Sequence, residues 1–375
     1  MSKPAAGPRL SDWQRLSWLR LIRTQNVGPA SFRELINRFG SAEAALEMLP
    51  ELMISGGAKR IMRIPSVEEA EAELDAASEN GARFVGIGEA DYPPMLKNMD
   101  NPPPLIAVKG EAAVFRLPAV AIVGARNASL AGIKMARMLA ADLGRDGYVI
   151  VSGLARGIDT AAHQGSLSTG TVGVLAGGLD VPYPPENIGL CEDIAERGGA
   201  VISEMPFGWQ PRAQDFPRRN RLVAGAALGL VVIEAAQRSG SLISARLAGE
   251  MGRLVFAVPG SPLDPRCAGS NGLLKDGATL VTEAADVSGA IAPLAGTRTR
   301  SIAPPEKAPD FSATPPPGED ERSGVLEVLG PTPVGVDEII RHTGLNAAQV
   351  SMVLLELDLA GRIERHAGGN VSLVS

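Results

Sequence analysis

The chain has 375 residues, 45% of them apolar and 21% charged, which is enough for two or three domains with cores of their own and excludes a fibrous repeat or wholesale disorder. Its formal charge of −6 argues against a protein that coats nucleic acid over its whole surface, so any polyanion site is expected to be local. Cys191 and Cys267 stand far apart outside any Cys/His cluster, so buried thiols are expected, with neither a disulfide framework nor a metal site. The N-terminus, MSKPAAGPRLSDW, has no apolar stretch of signal-peptide length, and no run approaches the roughly 18 apolar residues of a membrane span. A cytoplasmic location without membrane contact is expected.

Residues 1–80 read as a helical, SAM-like domain, with apolar residues at three and four spacing through WQRLSWLRLI and SFRELINRF and Ser41 as an N-cap. The turn NVGPASF, Asn26 to Phe32, is either a helix-hairpin-helix element whose amides hold a nucleic-acid phosphate or a structural turn in a small bundle. Residues 81–117 read as a connecting segment packed on the core. From 118 to 292, the apolar runs AVAIVG, YVIVSG, TVGVLAGG, AVISEMP, GLVVIEA, LVFAVPG and ATLVT alternate with helical segments. That pattern predicts an α/β domain built on a Rossmann-like, doubly wound parallel sheet, with its ligand beyond the carboxyl ends of the strands. Residues 293–320 hold seven prolines and no apolar period, the composition of a linker. Residues 321–375 give three helices and a hairpin around Gly368 and Gly369, a winged-helix domain.

The chemistry concentrates at three strand ends. In AIVGARNAS, Gly124 opens a turn that would carry G-x-G-x-x-G in a dinucleotide site, but Arg126 and Ser129 stand where the second and third glycines belong. A guanidinium there occupies the cofactor's space, so no cofactor is expected. In VSGLARGIDTAAH, Ser152, Gly153, Arg156 and Gly157 form a loop and Asp159 is the expected N-cap of the next helix. In EAAQRSGSLISA, Arg238, Ser239, Gly240 and Ser241 repeat the arrangement. Three phosphate-compatible turns on one edge suit successive phosphates of a polynucleotide.

PRAQDFPRRNR adds the densest positive run, Arg212, Arg218, Arg219 and Arg221. Phe216 beside it is a base-stacking platform or a core residue, and Asn220 fixes the turn or touches DNA. His163 lacks the partners for catalysis and receives no role.

The ordered set IVGARNAS, IVSGLARGIDTAAH, GGLDVPYPPEN, ISEMP, FPRRNRLVAG, EAAQRSGSLISA, VFAVPG and SNGLLKDGA closely resembles the DNA-processing protein A (DprA, also called Smf) family. The resemblance implies a non-enzymatic, cytoplasmic protein that binds single-stranded DNA in natural transformation, dimerises through its Rossmann domain and loads the recombinase RecA. It places the DNA site on Arg126, the loop from Ser152 to Gly157, and Phe216 with Arg218 to Arg221. In GGLDVPYPPEN, Pro185 and Glu186 stand where some relatives have a basic residue, and Arg212 is the expected substitute. The segment from Asn346 to Ala360, the position of a recognition helix, carries Glu356 and Asp358 but no Lys or Arg, which points away from a DNA groove. The alternative is a nucleotide-processing hydrolase of the Rossmann-like, lysine-decarboxylase-like group. That group needs Gly-Gly-x-Gly-Thr-x-x-Glu, where this chain has SGSLISAR. A scaffold acting only through protein contacts leaves the arginines unexplained.

Overall fold

The structure is a computed structural model that describes residues 9–60, 62–295 and 317–374. The described residues form two compact units, one of residues 9–10 and 72–295, the other of 11–71 and 317–374. Most of the expected linker, 296–316, lies outside the described residues.

In chain order the second unit begins with α1 (Asp12–Arg23), α2 (Pro29–Phe39) and α3 (Ala42–Ser55), followed by α4 (Val67–Glu79), which leads into the first unit. Local chemistry sets these helix starts. Ser11 accepts from the Gln14 amide at 3.2 Å while the Gln14 side chain accepts from the Ser11 amide at 3.0 Å, a reciprocal cap. Ser41 caps α3 through the Ala44 amide at 3.2 Å.

The first unit is a nine-stranded sheet. In chain order its strands are β1 (Ala82–Gly86), β2 (Leu105–Gly110), β3 (Ala119–Gly124), β4 (Val149–Ser152), β5 (Thr171–Val174), β6 (Ala200–Ser203), β7 (Gly229–Ile233), β8 (Leu254–Ala257) and β9 (Thr279–Leu280). Their spatial order is β1-β2-β6-β5-β4-β3-β7-β8-β9. β3 to β9 pair with one another in parallel, as the continuous apolar runs predict. The expected connecting segment 81–117 instead extends the sheet, β1 pairing antiparallel with β2 and β2 antiparallel with β6.

The helices are α5 (Leu130–Arg145), α6 (Ile158–Ser166), α7 (Ile188–Glu196), α8 (Asp215–Gly225), α9 (Gly240–Glu250), α10 (Ala268–Lys275) and α11 (Ala284–Ala295). Side chains alternate across β3. Val120 and Ile122 pack with Leu139 of α5, Ile158 of α6 and Ile291 of α11. Ala121 and Val123 face Leu222 of α8 and Ala245 of α9. The chain winds from β3 to β6 on one side and then returns to β7 on the other, so the topological switch lies between β3 and β7, where a Rossmann-like sheet opens its ligand crevice.

The second unit ends in α12 (Glu319–Val328), β10 (Val334–Gly335), α13 (Val336–Thr343), α14 (Ala347–Leu359), β11 (Ile363–Arg365) and β12 (Asn370–Leu373), a winged helix. α14 belongs to two cores. Val350, Val353, Leu354 and Leu357 join Val325, Ile339 and Val371 of the winged helix, while Met352, Leu355 and Leu359 join Leu35, Leu49 and Met53 of the N-terminal helices. The two acidic residues of α14 are spoken for as well, Glu356 by Arg322 at 2.7 Å and Asp358 by Arg365 at 2.9 Å, and Arg365 also reaches Glu34 at 3.2 Å. The Asn26 side chain donates to the Leu359 carbonyl at 3.1 Å. In the NVGPASF turn the Val27 amide donates to the Thr24 carbonyl at 3.1 Å and the Gly28 amide to the Ser31 hydroxyl at 2.9 Å.

Candidate nucleic-acid site

β4, β3 and β7 lie side by side, and the turns following Ser152, Gly124 and Ile233 open on one edge of the sheet. They do not form one site. A cleft of ≈ 340 Å³ is lined by Arg126, Asn127, Gly153, Ala155, Arg156, Tyr183, Pro184, Phe216 and Arg219. It therefore draws on the loops after β3, β4 and β5 and on the first turns of α8.

The aromatic wall is a pair. Phe216 meets Tyr183 edge to face, centroids 5.6 Å apart and planes at 63°, and the Arg126 guanidinium lies 5.2 Å from the Phe216 centroid. Phe216 is half-buried and Tyr183 is 44% exposed, so this face is open to a ligand, in contrast to the buried core on either side of the sheet. Arg156 is exposed and lies 3.8 Å from exposed Glu186. A surface pair of this kind is worth about 0–1 kcal/mol, so an incoming phosphate competes with it readily.

The floor holds two buried side chains of opposite charge, each bonded to backbone. Arg219 donates to the carbonyls of Gly153 and of Val174, the latter at 2.7 Å. Asp159 accepts from the amides of Gly153 at 3.1 Å and Ala155 at 3.3 Å. The loop is thus held from both sides. Gly153 cannot be replaced without movement, because a Cβ there would lie 2.1 Å from the Arg219 guanidinium. Burial lowers the Arg219 pKa to about 10, Asp159 opposes that shift and Arg126 adds to it. Two cations therefore crowd the cleft, and a bound anion relieves their repulsion.

Several expectations need correction. Asp159 is not an N-cap; Gly157, at φ 75°, takes that place, and the Asp159 carboxylate is turned back onto the loop amides, which are therefore not free for an anion. Gly157 packs on the Ala125 and Arg126 carbonyls. Ser152 is buried and donates to the Ile122 carbonyl at 2.6 Å. Gly124 pairs with Ile233 inside the sheet.

The arginine run does not act as one patch, because a helix turns successive residues by about 100°. Phe216 and Arg219 face the cleft, whereas Arg218 and Arg221 both pair with Glu204. Asn220 donates to the Gly240 carbonyl at 3.3 Å, and Arg212 stacks over Trp209 at 4.7 Å. Ser239 caps α9 through the Ser241 amide, and neither they, Arg238 nor Gly240 lines the cleft. Ser129 caps α5 and contacts Glu234.

Sequence reasoning passed over Tyr183, although a tyrosine between prolines in the loop after β5 is conspicuous in a chain with 4% aromatic residues. It also passed over Glu234, the carboxylate directly after β7.

His163 is fully buried with Nδ1 2.7 Å from Thr171 Oγ1, and burial lowers its pKa to about 3. The unfolded chain takes up this proton near pH 6.5, the folded chain only near pH 3. The contribution of His163 to stability is therefore complete above pH 6.5 and is lost as pH falls toward 3, at about 1.4 kcal/mol per unit. An NMR titration is expected to keep the His163 imidazole neutral at pH 5; protonation there refutes the assignment.

Comparison with known proteins agrees with this architecture. Residues 83–292 match the family model for DNA recombination-mediator protein A, residues 12–76 the DprA-like N-terminal HHH domain and residues 307–369 the DprA winged helix domain. Protein Smf of Escherichia coli (strain K12) is 35% identical over 321 residues, covering 84% of each chain. The X-ray structure of DNA processing protein A from Streptococcus pneumoniae superposes with a TM-score of 0.59 at 33% identity, covering 75% of this chain and 98% of that one. The Helicobacter pylori protein, whose structure is described for its single-stranded DNA binding mode, gives 0.52 at 28% identity, covering 56% and 97%. Among the described residues no helix is long and apolar enough to cross a membrane. With its recombination-mediator core and both flanking modules matched in order, the chain belongs to the DNA-processing protein A (DprA/Smf) family.

Proposed function

We propose that this protein binds single-stranded DNA in the cleft at the ends of β3 and β4 and serves, without catalysis of its own, as a recombination mediator. In this reading it is cytoplasmic, protects incoming DNA in natural transformation, dimerises through its Rossmann-like domain and passes the strand to a RecA recombinase. One observation carries it: three guanidinium groups and an aromatic pair, Tyr183 exposed and Phe216 half-buried, converge in a single cleft. Phosphates and unstacked bases of a flexible strand satisfy both chemistries at once, whereas a duplex keeps its bases stacked. The single-stranded DNA bound by the Helicobacter pylori relative is a ligand of the same kind.

The test is an anisotropy titration of matched single and double strands at several salt concentrations. If Arg126, Arg156 and Arg219 each neutralise one phosphate, the log–log salt slope per site is about −2, at roughly −0.7 per contact. Arg126→Ala is expected to flatten the slope by about 0.7 and weaken all sequences alike. Phe216→Ala is expected to cost about 1–3 kcal/mol with the slope unchanged, and less on abasic strands. Equal affinity for a duplex, or a slope near zero, refutes the reading.

A further inference from the structure

Between the ends of β3 and β7 the crevice that this fold ordinarily offers to a nucleotide is filled by the chain itself. Glu234 follows β7 directly, is 9% exposed, and turns its carboxylate onto the start of α5. Its Oε2 accepts from the Ser129 amide at 2.8 Å, and its Oε1 accepts from the Ser129 hydroxyl. That hydroxyl in turn caps the helix through the Gly132 amide at 3.0 Å. Gly132 is cut to fit, since a Cβ there would lie 2.6 Å from the Glu234 carboxyl carbon. The backbone of Glu234 is bent to make the contact, at φ 51°, a left-handed conformation that is strained for a non-glycine residue and persists only where its surroundings hold it.

A helix start at the topological switch is where a dinucleotide's pyrophosphate sits in the nucleotide-binding form of this fold, because free amides and the helix dipole favour an anion there. Here the anion is a side chain. We propose that Glu234 is the specificity-determining residue of this sheet edge. Its carboxylate takes the phosphate position at α5, closes the switch-point crevice to free mononucleotides and dinucleotides, and leaves the neighbouring cleft open to phosphate. The exclusion stands on this geometry; its use, to keep abundant nucleotides from competing with a strand, rests on the single-strand reading above. The same contact ties α5 to β7, so it also fixes the turn that carries Arg126, three residues before Ser129.

The decisive variant is Glu234→Gly, which suits the left-handed backbone and removes the plug. ADP is the probe, titrated by calorimetry into wild type and variant after a thermal melt of each. The variant is expected to bind ADP at least roughly tenfold more tightly than wild type, equivalent to about 1.4 kcal/mol. Equal ADP binding by the two, with a cooperative melt for the variant, overturns the proposal. Should the variant fail to fold, the wild type decides: the Ser129 and Gly132 amide resonances are expected to stay in place when ADP is added, and their titration would overturn the exclusion. A deoxythymidine oligomer serves as the parallel probe. Its failure to bind wild type would remove the single-strand reading while leaving the ADP result intact, and ADP binding by wild type would do the reverse.

Discussion

Replacing Asp159 with alanine is expected to lower the stability of the folded chain by about 2–5 kcal/mol, because two loop amides lose their acceptor and a buried arginine loses an opposing charge. Two losses combine. The amides of Gly153 and Ala155 lose the acceptor that holds them, and Arg219, buried at 6% exposure, loses the charge that offsets its desolvation. Asp159→Asn keeps an oxygen for the amides but not the charge, so a smaller loss is expected. In urea the midpoint should fall while the slope stays constant, the sign that stability and not compactness has changed. Arg219→Ala attacks the same loop from the opposite side, so the double variant should cost less than the two single losses together, with a coupling of about 0.5–3 kcal/mol. Additivity of the two would mean that the loop is not clamped between them. The cleft would feel the change through position, since Gly153, Ala155 and Arg156 line it while Asp159 does not.

The strands β3 to β7 were legible because each is a short apolar run bounded by turn residues and buried on both faces, whereas β8 is half-buried and β9 exposed at the sheet edge, where the apolar runs alone marked them. β1 and β2 were not, since ARFVG and LIAVKG are interrupted by charge and belong to a hairpin-like extension at the sheet edge. At the site, sequence could locate arginines but not aim them. In PRRNR the neighbours Arg218 and Arg219 differ completely, one paired with Glu204 and half exposed, the other buried under the cleft. Only the rotation of α8 and the position of Glu204 on another loop decide which is which. Glu234 was hidden for a related reason. A carboxylate after an apolar run reads as an ordinary strand end until the sheet order brings β7 next to β3. The acidic character of α14 did point away from a DNA groove, but its physical basis lay in packing: the helix is shared by two cores, which no local pattern could reveal.

That sharing leads to the second large effect. Leu355 is fully buried, on the face of α14 that completes the core of α1 to α3. Leu355→Ala is therefore expected to cost about 2–5 kcal/mol, the range for emptying a leucine site in a packed core. Leu130, 86% exposed, provides the contrast, and Leu130→Ala should stay within about 0.5 kcal/mol. The location of the damage is more informative than its size. If the N-terminal helices and the winged helix form one cooperative body through α14, hydrogen exchange should quicken together in α2, α3 and α12 to α14, although these segments lie about three hundred residues apart in sequence. Arg365→Ala should push in the same direction, because it leaves Glu34 and Asp358 without their shared cation; burial already raises the pKa of both carboxyls, and Arg365 opposes that shift. Loss of protection confined to the winged helix, with α1 to α3 exchanging as in wild type, would show that α14 merely rests on the helical bundle and is not part of its core.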